Sequence, residues 1–121
     1  MTKRAIVHIE IPAKAPKKAQ EFYAKLFGWE MDAIEDYDFY SFRAENTGGA
    51  FPAVGEEVKP GDVTVYIGSE DIEADLAAIE KAGGKRVGEL MPVPGYGRLV
   101  HFSDPTGNVL ALWQPDPPAQ Q

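Results

Sequence analysis

Residues 98–113 read Arg-Leu-Val-His-Phe-Ser-Asp-Pro-Thr-Gly-Asn-Val-Leu-Ala-Leu-Trp. Two apolar runs, 99–102 and 109–113, flank Ser103-Asp104-Pro105-Thr106-Gly107-Asn108. In that segment an Asp side chain can bond its own backbone, Pro presets φ, and Gly or Asn accepts positive φ. The stretch predicts a hairpin whose register is held by the Asp-Pro and Gly-Asn pairs instead of by one two-residue turn.

Upstream of the hairpin, 63–67 alternates, with Val63, Val65 and Ile67 against Thr64 and Tyr66, and 86–90 reads as another strand. Between them, 71–82 carries Ile72, Leu76 and Ile79 on one stripe and stops at Gly83-Gly84, so it reads as an amphipathic helix. The same order occurs earlier. Val7, Ile9 and Ile11 alternate with Ile6, His8 and Glu10, and Pro16 opens a helix with Ala19, Phe22, Tyr23, Leu26 and Phe27 on one face and Gly28 as its cap. Strands are expected at 29–34 and 39–44 around a 35–38 turn, and a short fourth begins at Gly48. The chain thus reads as a duplication, with module one at about 4–58, a polar connector at 56–61, module two at about 62–114, and a frayed tail at 115–121. All of it is one domain by length.

With both halves in view, residues 102–110 resemble the closing hairpin of the vicinal oxygen chelate superfamily, which includes glyoxalase I, extradiol dioxygenases and the fosfomycin and bleomycin resistance proteins. The resemblance covers 4–114. It implies an α+β fold in which two βαβββ modules form a curved eight-stranded mixed sheet. A ferredoxin-like pair of halves would need a helix where Met91-Pro92-Val93-Pro94-Gly95-Tyr96-Gly97 offers none.

In the family's metal-dependent members, four inward positions hold a divalent ion, one on the first and one on the last strand of each half. His8 matches the first. The resemblance puts the others at Thr64, at Ala111 and near 50–52, where no side chain is a useful ligand. Zinc, nickel, manganese or iron needs roughly three N or O donors. A rearranged set of His8, Glu10 and His101 is the metal site the sequence leaves open, since His8 and Glu10 share a strand face at i and i+2. The alternatives are a cavity-wall imidazole for His8, a solvated or Arg-paired side chain for Glu10 and a surface position for His101.

Thr64, Tyr66, Val109, Ala111 and Trp113 share faces by alternation and are expected to line an aromatic-walled cavity for a small organic ligand. Ordinary core packing is the alternative for Trp113. Arg98 and Arg43 are candidate clamps for an anionic ligand. The 91–97 segment reads as a loop over the cavity mouth, with Tyr96 touching the ligand and Glu10 moving a proton. Two functions remain open: a glyoxalase-like, metal-assisted lyase or isomerase, and a metal-free binding protein resembling bleomycin resistance proteins, in which an acidic dimer sequesters a cationic compound.

Composition narrows the partners. The 121 residues are 44% hydrophobic and 26% charged, as in soluble domains, with a formal charge of -7. That acidity disfavours nucleic acid, which needs clustered Lys and Arg. No apolar run reaches membrane-spanning length, so no membrane partner is expected. The lack of cysteine excludes disulfides and thiolate chemistry, and a cytoplasmic address is the default. The resemblance implies a homodimer.

Overall fold

The computed structural model describes residues 3–34, 36, 38–56 and 58–117. Parts of the expected 35–38 turn and 56–61 connector, and residues 118–121 of the tail, lie outside the described residues. Among the described residues are eight strands, paired in mixed parallel and antiparallel fashion, and two helices: an α+β fold. Contacts divide the chain into two compact units, one spanning 7–65 and the other joining the N-terminal residues through Ile6 to those from Tyr66 onward.

The first unit runs β1 (Ile6–Glu10), α1 (Pro16–Phe27), β2 (Glu30–Ile34), β3 (Phe39–Arg43) and β4 (Gly48–Ala50). Its strand order is β2-β3-β4-β1, antiparallel except for the parallel β4-β1 pair. Pro16 starts α1 where a missing N–H costs nothing, and Gly28 ends it at φ 71°, donating its N–H to the Ala24 carbonyl. The core of this unit is aromatic. Tyr23 stacks on Trp29 at 5.0 Å, Trp29 on Phe42 at 4.7 Å, and Phe42 meets the buried Phe51 at 5.0 Å. Gln20 pins the helix from its inner face by donating to the Asp32 and Ser41 carbonyls at 2.7 and 3.1 Å.

The second unit runs β5 (Thr64–Gly68), α2 (Ile72–Lys81), β6 (Lys85–Val93), β7 (Gly97–Ser103) and β8 (Val109–Pro115), in the order β5-β8-β7-β6. Asp71 precedes α2 as its N-cap and accepts from the Ala74 N–H, with Glu73 and Asp75 complementing the positive helix end. Ile72, Leu76, Val100, Phe102 and Leu112 are buried between α2 and the sheet. Each fully buried side chain of this kind contributes about 1.5–3 kcal/mol.

β6 changes the reading of the proposed lid. It extends through Pro92 to Val93, so the expected 91–97 loop contracts to a turn at 94–96, with Gly95 at φ 86°. Pro92 is tolerated because β6 is terminal in its unit's strand order and can spare a ladder donor. A bulge between Val87 and Met91, with Gly88 at φ 77°, bends the strand.

The closing hairpin forms as expected, with Ser103 opposite Val109. Asp104 accepts hydrogen bonds from the Asn108 and Thr106 N–H groups, the Thr106 hydroxyl and the Asn108 amide. The Asn108 backbone bond and its companions lower its pKa from 3.8 to about 2. A depressed folded-state pKa stabilises the fold above the unfolded value, and that contribution is lost as pH falls through about 2. Asp104→Ala is therefore expected to flatten the acid limb of the stability curve below pH ~4; parallel urea midpoints for variant and parent across that range would contradict it.

Candidate functional site

Register decides which side chains share a face. In the first unit Phe42 pairs with Gly49 and belongs to the aromatic cluster under α1, so the alternate residues face away from the helix. Glu10 stands opposite Ala50, and Ala50 opposite Ser41. His8 is on the same face as Glu10, and its Nε2 lies 3.4 Å from Glu10 Oε2, with both side chains about 30% exposed. With the proton on Nε2 the imidazole donates to the carboxylate, and that bond orients the ring. Arg43, on the same face, is held by Glu30 in an ion pair, so it answers a neighbouring acid rather than standing as a bare clamp.

In the second unit the face turned away from α2 has two rows. Val87, His101, Ala111 and Tyr66 are level across β6, β7, β8 and β5. Met91, Leu99, Trp113 and Gly68 form the next row. The Tyr66 and His101 rings meet edge-on at 6.2 Å. Tyr66 and Ala111 are buried, whereas Leu99, His101 and Trp113 are half-buried. Thr64 shares the Tyr66 face, two residues earlier on β5. The central rows of the face are apolar and aromatic, and His101 brings an imidazole beside the Tyr66 phenol.

Arg98 is not on this face. It sits one residue out of phase with Leu99 and reaches toward the start of α2, where its Nη2 donates to Gln114 Oε1 at 3.3 Å and its Nη1 lies 4.0 Å from Glu73. The same Gln114 oxygen accepts the Ile72 N–H, so Arg98 and Gln114 together secure the first turn of α2. Tyr96 occupies the tip of the 94–96 turn and is 66% exposed. It belongs to the second unit and Glu10 to the first.

The resemblance assigns its metal-ligand positions to the first and last strands of the two halves. In each, the first strand runs parallel to the last, placing Ala50 opposite Glu10 and Ala111 opposite Tyr66. Two residues earlier on the first strands stand His8 and Thr64. One imidazole, one hydroxyl and two methyl groups do not make a divalent-metal donor set. Among the described residues, no group of three or more His, Cys, Asp or Glu is placed to hold an ion.

Sequence reasoning missed the partners of Arg4. This side chain makes paired hydrogen bonds to Asp75 at 2.8 and 3.0 Å and reaches the Gly68 carbonyl. The Arg4 bond, with a further one from the Ser69 hydroxyl, lowers the Asp75 pKa. It also missed Leu99, Met91 and Val87 as companions of His101. An apolar β7 in which both faces are covered with Leu, Val and Phe shows no period-2 signal to place them.

Comparison with known proteins places this geometry. The model of the Glyoxalase/Bleomycin resistance protein/Dioxygenase superfamily matches residues 5–112. A glyoxylase-like domain-containing protein of Didymella fabae is 31% identical over 115 residues, covering 86% of this chain and 88% of its own. The anthracycline biosynthesis protein DnrV of Streptomyces peucetius is 27% identical over 112 residues, and the chain spans only 41% of its length. The structure of methylmalonyl-CoA epimerase from Mycobacterium tuberculosis superposes with a TM-score of 0.67 at 15% identity, covering 93% of this chain and 88% of that one. No helix among the described residues is long and apolar enough to cross a membrane. A family match over nearly the whole chain leads to one conclusion: the chain belongs to the Glyoxalase/Bleomycin resistance protein/Dioxygenase superfamily.

Proposed function

We propose that this chain binds a small, largely apolar organic molecule on the sheet face of the second unit that α2 leaves uncovered. The observation that carries the reading is the set of Leu99, His101, Ala111 and Trp113 on that face, with Tyr66 behind them. The half-buried Trp113 and Leu99 offer apolar contact, the buried Ala111 lies between Tyr66 and His101, and His101 can bond to a ligand oxygen. An acyl thioester of the kind the epimerase's name implies, or an aromatic polyketide of the anthracycline kind, has this combination of apolar body and carbonyl oxygen. The cysteine-free composition agrees with a cytoplasmic address, and the exposed Val87, Met91 and Val109 at the face's margin agree with a homodimer.

A second reading rests on the His8–Glu10 pair. A carboxylate bonded to an imidazole is a proton-transfer device, suited to removing a proton next to a carbonyl. In this reading Glu10 orients the imidazole through the Nε2 bond. The donor set at these positions does not fit the family's metal.

Metal analysis separates these readings from the metal-assisted alternative. Protein purified without chelator, then titrated with zinc, nickel, manganese and iron, is expected to retain less than one equivalent per chain. One equivalent that disappears in His8→Ala would overturn the metal-free reading and restore a site built on His8, Glu10 and His101.

A further inference from the structure

The charge of this acidic chain is unevenly distributed. Segment 14–27 contains Lys14, Lys17, Lys18 and Lys25 and a single acid, Glu21, a formal +3; the rest of the chain therefore carries -10 of the total of -7. All four lysines are exposed. The same segment leaves Phe22, Leu26 and Phe27 more than half exposed, although it is the helix that covers the first unit's sheet. Helix geometry puts Lys18, Phe22, Lys25 and Leu26 on one contiguous flank, since 18, 22 and 26 are spaced by four and 22 and 25 by three. The core accounts for only part of this flank: Phe22 meets Tyr23 edge-on at 5.2 Å yet stays more than half exposed. α1 is held from its other side, where Tyr23 stacks on Trp29 and Phe51 and Gln20 bonds the sheet carbonyls.

We propose that this flank of α1 docks onto an anionic lipid surface. Large apolar side chains bordered by lysines are what an interfacial helix presents: the apolar groups enter the boundary between headgroups and acyl chains while the ammonium groups meet anionic headgroups. Phe22 and Leu26 are each more than half exposed, which suits insertion into a fluid layer. A second copy of α1 is disfavoured, because two +3 segments would face each other. The acidic remainder does not forbid approach. At physiological salt the Debye length is about 8 Å, so acids farther than that from the surface are screened, and the charge asymmetry orients the chain with α1 foremost. This inference is independent of the ligand reading.

The test is co-sedimentation of the full chain with vesicles of phosphatidylcholine alone and of equimolar phosphatidylcholine and phosphatidylserine. Binding is expected to the anionic vesicles only, and to weaken as salt is raised. Each of Lys18→Glu and Lys25→Glu is expected to lower partitioning roughly fivefold or more, and Phe22→Ser with Leu26→Ser to abolish it, with circular dichroism unchanged. Leu26→Trp is expected to shift its emission to the blue with anionic vesicles, a readout that does not depend on the loss variants folding. Equal binding to both vesicles, binding unaffected by charge reversal, or capture by immobilised polyglutamate without any vesicle binding would each overturn the proposal, the last by assigning the flank to an acidic protein.

Discussion

Gly49→Val is expected to leave the chain largely unfolded at room temperature. Gly49 lies in β4, where β1 and β3 approach it from either side. A Cβ built there would sit 1.7 Å from the Ile9 carbonyl oxygen and 2.7 Å from the Phe42 ring. The first is backbone, so relief requires β1 to separate from β4; the second belongs to the aromatic core and is packed on Trp29 and Phe51. Overpacking in cores ordinarily costs 1–3 kcal/mol, and a clash with backbone at this distance exceeds that, about 4 kcal/mol or more against a typical total of ~5–15. Even Gly49→Ala places the offending atom. Gly55→Ala is the control, because nothing lies within 4 Å of its Cβ, and it should stay within about 0.5 kcal/mol of the parent. Urea unfolding followed by circular dichroism measures both. A Gly49→Ala variant as stable as the control would mean that β4 is not clamped as described.

Trp113→Ala is expected to weaken ligand binding by tenfold or more while leaving the fold in place. Trp113 stands opposite Leu99 and Gly68 on the face that α2 leaves uncovered, and it is half-buried, not part of the core under the helix. Stacking of a planar ligand on one aromatic ring is worth roughly 1–3 kcal/mol, or about fivefold to 150-fold in Kd, and loss of a whole indole ring falls in the upper part of that range. Leu112, its neighbour, points into the α2 core, so Leu112→Ala should act in the opposite sense, costing about 2–5 kcal/mol of stability. Titrating both variants with a hydroxynaphthoquinone probe, and unfolding both in urea, distinguishes them. Loss of affinity in Leu112→Ala but not in Trp113→Ala would place the ligand on the wrong side of the sheet for this account.

The duplication was legible because each half repeats strong local signals. Pro16 and Gly28 bracket α1, Asp71 and Gly83 bracket α2, and the alternation of Val7, Ile9 and Ile11 separates His8 and Glu10 from the core face. The Asp-Pro and Gly-Asn turn was legible for the same reason, since its hydrogen bonds are made within five residues. The face that Arg98 occupies was not legible, because it depends on where Val100 and Phe102 pack, and Leu99 and Val100 are equally apolar. The 91–97 segment looked like a loop because Pro and Gly are turn residues in isolation; an unpaired ladder side at β6 and the Gly88 bulge absorb them into a strand. The Arg4–Asp75 bond, 71 residues apart in sequence, leaves no local trace at all. Nor does the Glu10–Ala50 register, which had to come from the parallel pairing of β1 and β4.

The most direct test of the central claim is a chemical-shift titration of the isotope-labelled chain with the hydroxynaphthoquinone probe, in chelator. Leu99 and Val100 are adjacent on β7 but lie on opposite faces, as do Ala111 and Leu112 on β8. The account predicts saturable side-chain shifts at Leu99, His101, Ala111 and Trp113, with Val100, Phe102 and Leu112 changing little. Shifts concentrated on Val100, Phe102 and Leu112, or no saturable shift on either face, would contradict it.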